Sequence, residues 1–395
     1  MLGAIYIGLS GMAAYSKGLQ AISNNVANLN STGFKSATAT FSDVFTTGGG
    51  SWTLAEDPGA RRQGNGVRFS TPQLDFGQGD LRQSDNDLDL AIQGAGFMVL
   101  LKEGAPFYTR TGSFTTDRDG YIIHQDSGYR LGILENGGAV PVNIAASRSN
   151  PPVATRTVTF ADNISSSGTS ATVQDIAVYD SLGNKQLWRA QFDAVAGSPG
   201  QWTVTVTDQT QRTIGTSTLH FLNGTVDPAS ATLDFTDTPA GADPLSVTFD
   251  FSGSVTSFST GTTSSIRAAS TDGNAAGEIS TISVDDNGAL QITYSNAKTK
   301  LIGAVAMASF RDPQALQQVS GGLFRNAGRE QPILVNGTDD VVGTLTPRRL
   351  EASNVDLSQE FGELILIQRG FQASSQVVSI SNDMIQQLFG IRGQG

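Results

Sequence analysis

The chain has 395 residues, a formal net charge of −11 and a pI near 4.6, with 38% hydrophobic and only 15% charged residues. An acidic chain whose nearest approach to a basic run is Arg61-Arg62 repels phosphates, which excludes nucleic acid and anionic lipid as main partners. It contains no cysteine, so a disulfide framework and thiolate metal sites are excluded as well, and nothing could cross-link a chain exported unfolded.

The length suits two or three domains. Glycine is abundant, at 45 residues, and together with many Ser and Thr it suits short strands joined by tight turns. The low charge fraction and the alternating apolar patterns argue against a disordered chain. No stretch is long and apolar enough to span a membrane, so membrane insertion is not expected. The opening MLGAIYIGLSGMAAYSKGLQ carries Lys17 as its only charge and has periodic apolar residues. That is not the pattern of a cleaved signal peptide, so a chain of this kind would leave the cell by another route.

The first predicted element is a helix over 1–30. Leu2, Ile5, Leu9, Met12, Leu19, Ile22, Val26 and Leu29 follow alternating spacings of three and four, with Ser16 in the weak slot. Gly3, Gly8, Gly11 and Gly18 each weaken it by about 1 kcal/mol relative to Ala. Asn30 to Gly33 supplies its stop. Residues 31–70 read as a connector with room for short strands, punctuated by Gly48-Gly49-Gly50, Pro58-Gly59 and Gly64-Asn65-Gly66.

From 71 to 146 the pattern is β: Leu88, Leu90 and Ile92 alternate, 97–101 is a buried run, and 117–120 and 136–138 are turns. Residues 147–277 are expected to form an inserted outer β domain, with strands near 157–160, 176–179, 187–192, 202–207 and 247–251. Gly183-Asn184 is read there as a two-residue hairpin turn. The inner β domain resumes over 278–353, with strands near 281–284, 290–294 and 301–310 and a turn at 286–288.

A second helix is predicted over 354–395, with a seam of Leu357, Phe361, Leu364, Phe371, Val378, Ile385 and Phe389 and a capping box at Ser353 and Asp356. The predicted fold is α+β, mainly β. The terminal helices pair in a coiled-coil-like layer, and two nested β domains lie between them. An ordinary antiparallel helix pair covering a core is the plainer reading of the ends. The narrow seams favour helices that gain order by bundling with neighbouring copies. The expected subunit–subunit contacts are therefore Leu9, Met12, Leu19, Ile22, Val26, Leu357, Phe361, Leu364, Phe371, Val378 and Ile385.

Motifs that would carry chemistry fail on inspection, so no catalytic residue, cofactor or metal is expected. Asp85, Asp87 and Asp89 begin like a calcium loop, but Leu90 and Gly96 stand where Gly and Glu are needed. Histidine is limited to His124 and His220, which rules out multi-His metal motifs. No nucleophile elbow, P-loop or dinucleotide fingerprint follows a strand. A secreted β-rich carbohydrate-active or carbohydrate-binding protein remains the alternative from another class.

Several motifs resemble those of the flagellar rod and hook protein family. Gly8-Leu9-Ser10-Gly11-Met12, running through Ile22-Ser23-Asn24-Asn25-Val26-Ala27-Asn28 to Thr32-Gly33-Phe34-Lys35-Ser36, is similar to the family's N-terminal signature. Leu350-Glu351-Ala352-Ser353-Asn354-Val355-Asp356-Leu357 and Gln368-Arg369-Gly370-Phe371-Gln372 resemble its C-terminal one, although Gly370 stands where a small helix-favouring residue is expected. Gln78-Gly79-Asp80-Leu81, Leu88 to Phe97, Tyr108 to Phe114 and Asp119-Gly120-Tyr121 resemble the shared inner β domain.

The resemblance covers roughly half the chain, and 147–277 carries no motif of its own. The size of that insertion favours a hook subunit over a distal rod protein. The resemblance implies a self-polymerising tube outside the cell that passes motor torque to the filament. It also implies export through the flagellar type III apparatus, with the distal rod protein, hook cap and hook–filament junction proteins as further partners.

Overall fold

The computed structural model describes residues 2–46, 63–285, 287–337, 339 and 341–392. The sequence-predicted punctuation at Gly48-Gly49-Gly50, Pro58-Gly59 and Arg61-Arg62, and the first residue of the 286–288 turn, lie outside the described residues, as do the side chains of Leu2 and Phe389. The chain divides into two compact units. One comprises Met1–Ala145, Ile282–Gln291 and Leu301–Gly395; the other comprises Ala146–Thr281 and Ile292–Lys300.

The first unit carries both long helices, α1 (Leu2–Ala27) and α2 (Leu357–Arg392). Asp356 caps α2, its Oδ1 accepting from Ser358 N at 2.8 Å and Gln359 N at 3.3 Å. The cap is thus Asp356 itself and not a box begun by Ser353, whose Oγ reaches only Val355 N, at 3.4 Å. After α1 the chain turns through 28–33, and Gly33 takes φ +68°, a conformation glycine adopts without a Cβ penalty. Residues of the connector form an antiparallel hairpin, Phe41–Thr46 with Gln63–Phe69.

The β part of the first unit centres on a twelve-stranded sheet. Its order runs Leu316–Val319, Leu323–Asn326, Ala105–Thr109, Phe97–Lys102, Arg130–Glu135, Ile122–His124, Thr111–Thr116, Asp89–Gln93, Thr344–Pro347. Its core packs Phe97, Val99, Leu101, Tyr108, Leu316 and Phe324, with the Phe97 and Phe324 rings 5.7 Å apart edge to face. The predicted strand 301–310 is two strands, Thr299–Ala304 and Met307–Ser309. The chain changes partners between them, Val305 N donating to Gly288 O and Ala306 N to Gly132 O.

The second unit is built on a nine-stranded sheet. The path is Ser170–Tyr179, Lys185–Ala194, Gln201–Thr207, Thr213–Leu222, Thr225–Val226, Leu245–Thr256, Thr157–Asn163, Arg267–Thr271, with Thr232–Asp237 on Leu245–Thr256. Neighbours are antiparallel except Thr157–Asn163 and Leu245–Thr256, which run parallel. Alternation is strict: along Gln201–Thr207 the buried residues are Trp202, Val204 and Val206.

Strands at 213–222, 232–237 and 267–271 have no counterpart in the sequence reading, although the first buries Leu219 and Phe221 and the second Leu233 and Phe235. The turn at 180–184 has five residues, not two. Asp180 Oδ1 accepts from Leu182 N and Asn184 N, both at 2.9 Å. Residues Ile292–Lys300, which the pattern alone puts with the inner domain, belong to this second unit, where Tyr294 Oη donates to Ser147 O at 2.9 Å.

The aromatic centre of the second unit is Phe160, whose ring lies 4.6 Å from Phe251, 4.9 Å from Phe249 and 6.2 Å from Phe192. Replacing it with Ala should cost roughly 3–5 kcal/mol, since a fully buried ring leaves a cavity its neighbours cannot fill. Chemical denaturation followed through Trp188 and Trp202, which share this core, reads the shift directly.

Candidate functional site

Both chain ends are held by one buried ionic knot in the first unit. Glu351 Oε1 accepts from Lys35 Nζ at 2.8 Å and from Gly79 N at 2.8 Å, while Oε2 accepts from Arg110 Nε at 3.1 Å. The side chains are 0% (Lys35), 0% (Glu351) and 1% (Arg110) exposed, so no water screens them. Two cations share one carboxylate, and backbone carbonyls take up the excess charge. Lys35 Nζ donates to Gly77 O at 2.6 Å, and Arg110 to Gly94 O at 2.6 Å and Gly96 O at 3.3 Å. Gln78 Oε1 accepts from Arg110 at 3.0 Å. Such groups are tolerated in a dry interior only when every donor is matched. Burial lowers the Lys35 pKa, and the adjacent Glu351 carboxylate pulls it back up.

Around the knot, the segment after α1 is tied to the segment before α2. Gly33 N donates to Glu351 O at 2.8 Å, and Ser36 N to Asn354 Oδ1 at 2.8 Å. Asn354 Nδ2 returns to Asp75 O at 2.8 Å. One helical turn away, Asn25 on α1 spans three elements. Its Oδ1 accepts from Ala37 N at 3.0 Å, and its Nδ2 donates to Ala37 O at 3.0 Å and to Glu360 Oε1 at 2.7 Å. Glu360 is 7% exposed, and its Oε2 is buried with no partner among the described residues. Burial raises the Glu360 pKa, outweighing the Asn25 hydrogen bond, and nearby Glu363 adds to the rise.

From this anchor α1 and α2 run antiparallel, their contacts passing from Asn25 with Glu360 to Gly18 with Ile367 and Gly8 with Val378. The face of α1 buried in the unit is Gly8, Gly11, Ala14, Gly18, Ile22 and Asn25. A Cβ on Gly8 would lie 2.6 Å from Val378 Cγ2, and one on Gly18 would lie 2.9 Å from Ile367 Cδ1. On α2, a Cβ at Gly370 would lie 2.5 Å from the Tyr15 ring. Three of the four glycines that weaken α1, Gly8, Gly11 and Gly18, are therefore sites of close approach, and so is Gly370 on α2.

The seams drawn from the sequence accordingly split. Ile22 is buried, and Met12, Leu19, Val26, Leu364, Val378 and Ile385 are half-buried, whereas Leu9, Leu357, Phe361 and Phe371 are exposed. The outward stripe is wider than the predicted residues: Leu366 is 68% exposed, and Tyr6, Ile7, Ile365, Val377, Ile380 and Met384 join it.

The sequence reading missed the knot's chemistry although its residues sit inside the quoted signatures. No local signal was available: Arg110 stands between Thr109 and Thr111, and Glu351 follows Arg348-Arg349-Leu350. The acidic turn behaves as a turn, with Asp89 accepting from Ser84 at 2.6 Å and Asn86 at 2.7 Å, and Asp87 pairing with Arg348 at 2.8 Å.

A β protein whose two ends return to one buried knot and leave as a paired helical stalk belongs to the axial class of flagellar proteins by its matches. Families described as "Flagella basal body rod protein" (residues 5–35), "Flagellar hook protein FlgE/F/G D1 domain" (91–169), "Flagellar basal body protein FlaE D2 domain" (145–303) and "Flagellar basal body rod FlgEFG protein C-terminal" (347–391) all match. The flagellar hook protein FlgE of Escherichia coli K12 is 30% identical over 97% of this chain and 98% of its own length. That of Borreliella burgdorferi is 26% identical over 99% of this chain and 100% of its own, and that of Salmonella typhimurium 28% over 97% and 98%. The chain belongs to the flagellar hook protein family.

Two contrasts test the helix pair. Gly3 has nothing within 4 Å of its would-be Cβ, so Gly3→Ala should stabilise α1 by about 1 kcal/mol. Gly370→Ala gains the same propensity but drives into Tyr15, and the net result should be destabilising; helical circular dichroism during melting compares the two.

The second contrast concerns pH. Because the folded Glu360 pKa is raised, the folded state binds the extra proton, and that stabilisation is present below the unfolded value and lost as pH rises through the folded one. Between about pH 4.5 and neutrality the wild type should therefore lose stability that Glu360→Gln, which keeps an acceptor for Asn25, retains. Melting temperature against pH for the two proteins checks the sign.

Proposed function

We propose that this chain is the structural subunit of the bacterial flagellar hook, polymerising outside the cell into a curved tube that acts as a universal joint between motor and filament. The observation that carries this reading is the helix pair, which is anchored rigidly at one end yet offers an outward apolar stripe on α2 from Phe361 to Met384. A chain of net charge −11 gains nothing from leaving such a stripe in water. Covering each large side chain is worth roughly 1.5–3 kcal/mol. Repeating the contact head to tail, without closure, produces a helical polymer. The near full-length likeness to hook proteins supports the same conclusion.

In this role the protein is mechanical and carries out no catalysis. Leu9, Met12, Leu19, Ile22, Val26, Leu357, Phe361, Leu364, Phe371, Val378 and Ile385 supply the helical layer, the exposed members meeting neighbouring copies. The distal rod protein would meet the base of the tube, and the hook cap and hook–filament junction proteins its growing and finished ends. Delivery would be through the flagellar type III export apparatus.

Electron microscopy of concentrated purified protein should show tubes. Phe371→Asp and Leu366→Asp place a charge on the outward face and should abolish them, while melting of the β units stays unchanged. Tubes formed normally by both variants would place the assembly surface elsewhere.

A further inference from the structure

The Glu360 carboxyl stands between two clamps. On one side the Glu351 knot holds the approach to α2, and on the other Ile367 lies against Gly18 of α1. Between them, among the described residues, the polar contact that joins α2 to the rest of the unit is Asn25 Nδ2 donating to Glu360 Oε1 at 2.7 Å. Asn25 is itself pinned, 2% exposed, by the N–H and the carbonyl of Ala37. The carboxyl therefore meets α1 directly and the strand Ala37–Thr38 through Asn25.

Its second oxygen, Oε2, is buried without a partner among the described residues. A neutral carboxyl in that place leaves one hydroxyl unmatched. An ionised one leaves a charge with neither water nor donor, which costs far more. The surroundings offer little relief. On α2, Glu363 repels the anion, and Asp356 spends Oδ1 on the helix cap. Helix α1 carries no ionisable residue from Gly18 to its end. The strand Ala37–Thr38 and its partner Gln73–Leu74 carry none either. Beside them stand Asp75, which is acidic, and Lys35, whose ammonium is taken by Glu351. The dipole at the start of α2 favours an anion, but by less than the loss of its water costs.

We propose that Glu360 and Asn25 form a proton-operated latch. With Glu360 protonated, the base of α2 is fastened to α1 and to the strand Ala37–Thr38; with Glu360 ionised, that base loosens while the knot and the helix interlock on either side stay closed. The knot is insulated because its carboxylate already has two cations and gains nothing from a proton. The sign follows from linkage: docking holds the proton more tightly, so the fastening is present in acid and lost as pH rises through the docked value. The fall in melting temperature derived above does not locate the change; the latch places it at the base of α2. The device needs one chain only and stands apart from the assembly reading. It makes the stiffness of the junction between β structure and helices depend on pH.

Amide hydrogen exchange of the full-length chain tests this, each rate corrected for the intrinsic pH dependence of the amide. From roughly pH 5 to pH 7, protection over 357–364 should fall about threefold or more in the unsubstituted chain, while protection over 344–351 holds. Glu360→Gln mimics the protonated carboxyl and keeps an acceptor for Asn25, so its protection over 357–364 should not fall. Glu363→Gln removes the repelling charge without touching the Asn25 contact, and the fall should shrink.

No fall in the unsubstituted chain, an equal fall in Glu360→Gln, a parallel fall over 344–351, or no protection over 357–364 at any pH overturns the proposal. Should Glu360→Gln fail to fold, Glu363→Gln decides: a smaller fall supports the latch, and an undiminished one overturns it.

Discussion

The first unit is organised around a carboxylate that two cations share out of reach of water. Glu351 fixes Lys35, two residues past the turn that ends α1, and Arg110, at the bend between the strands Ala105–Thr109 and Thr111–Thr116, and it stands six residues before α2. Breaking such a group by removing one partner typically costs about 3–5 kcal/mol, because the remaining charge stays buried. Its value lies in specification as much as in stability. Five stretches of the chain meet at this group, and their arrangement sets where both helices leave the β structure.

The helices themselves are weakly specified by local preference. Four glycines in α1 and a mixed, narrow apolar pattern in α2 would leave either helix marginal in water. Packing supplies what propensity lacks. Tyr15 on Gly370, Val378 on Gly8 and Ile367 on Gly18 bring the backbones together at points where any side chain would intrude. What remains outward among the described residues is an apolar stripe, and this division between an inward small-residue face and an outward apolar face is the basis for assigning the helices to assembly.

Much of this was legible before any coordinates. Period-three-and-four spacing located both helices to within a few residues, and alternation located most strands whose inward residues are large, such as Trp202–Val204–Val206. Thr213–Leu222 was missed although Leu219 and Phe221 are buried, because its first six residues are Thr, Ser and Gly with one Ile and dilute the alternation. The helix seam was read as one face because sequence records which residues are apolar and not which glycines face a partner. The knot escaped because its hydrogen bonds join residues up to 316 positions apart, and nothing local marks Lys35 and Glu351 as a pair.

The glycine notches have a mechanical corollary. Val378 and Ile367 sit in notches on α1, while Tyr15 sits in a notch on α2, so the interlock is reciprocal. Sliding either helix along its axis drives a side chain out of its notch and into a neighbouring turn, in whichever direction the slide occurs. The pair therefore resists shear and behaves as a strut of fixed length. A tube made of such struts would accommodate bending by tilting or re-spacing whole subunits, and the compliance of the joint would reside between chains, not within the stalk of any one of them.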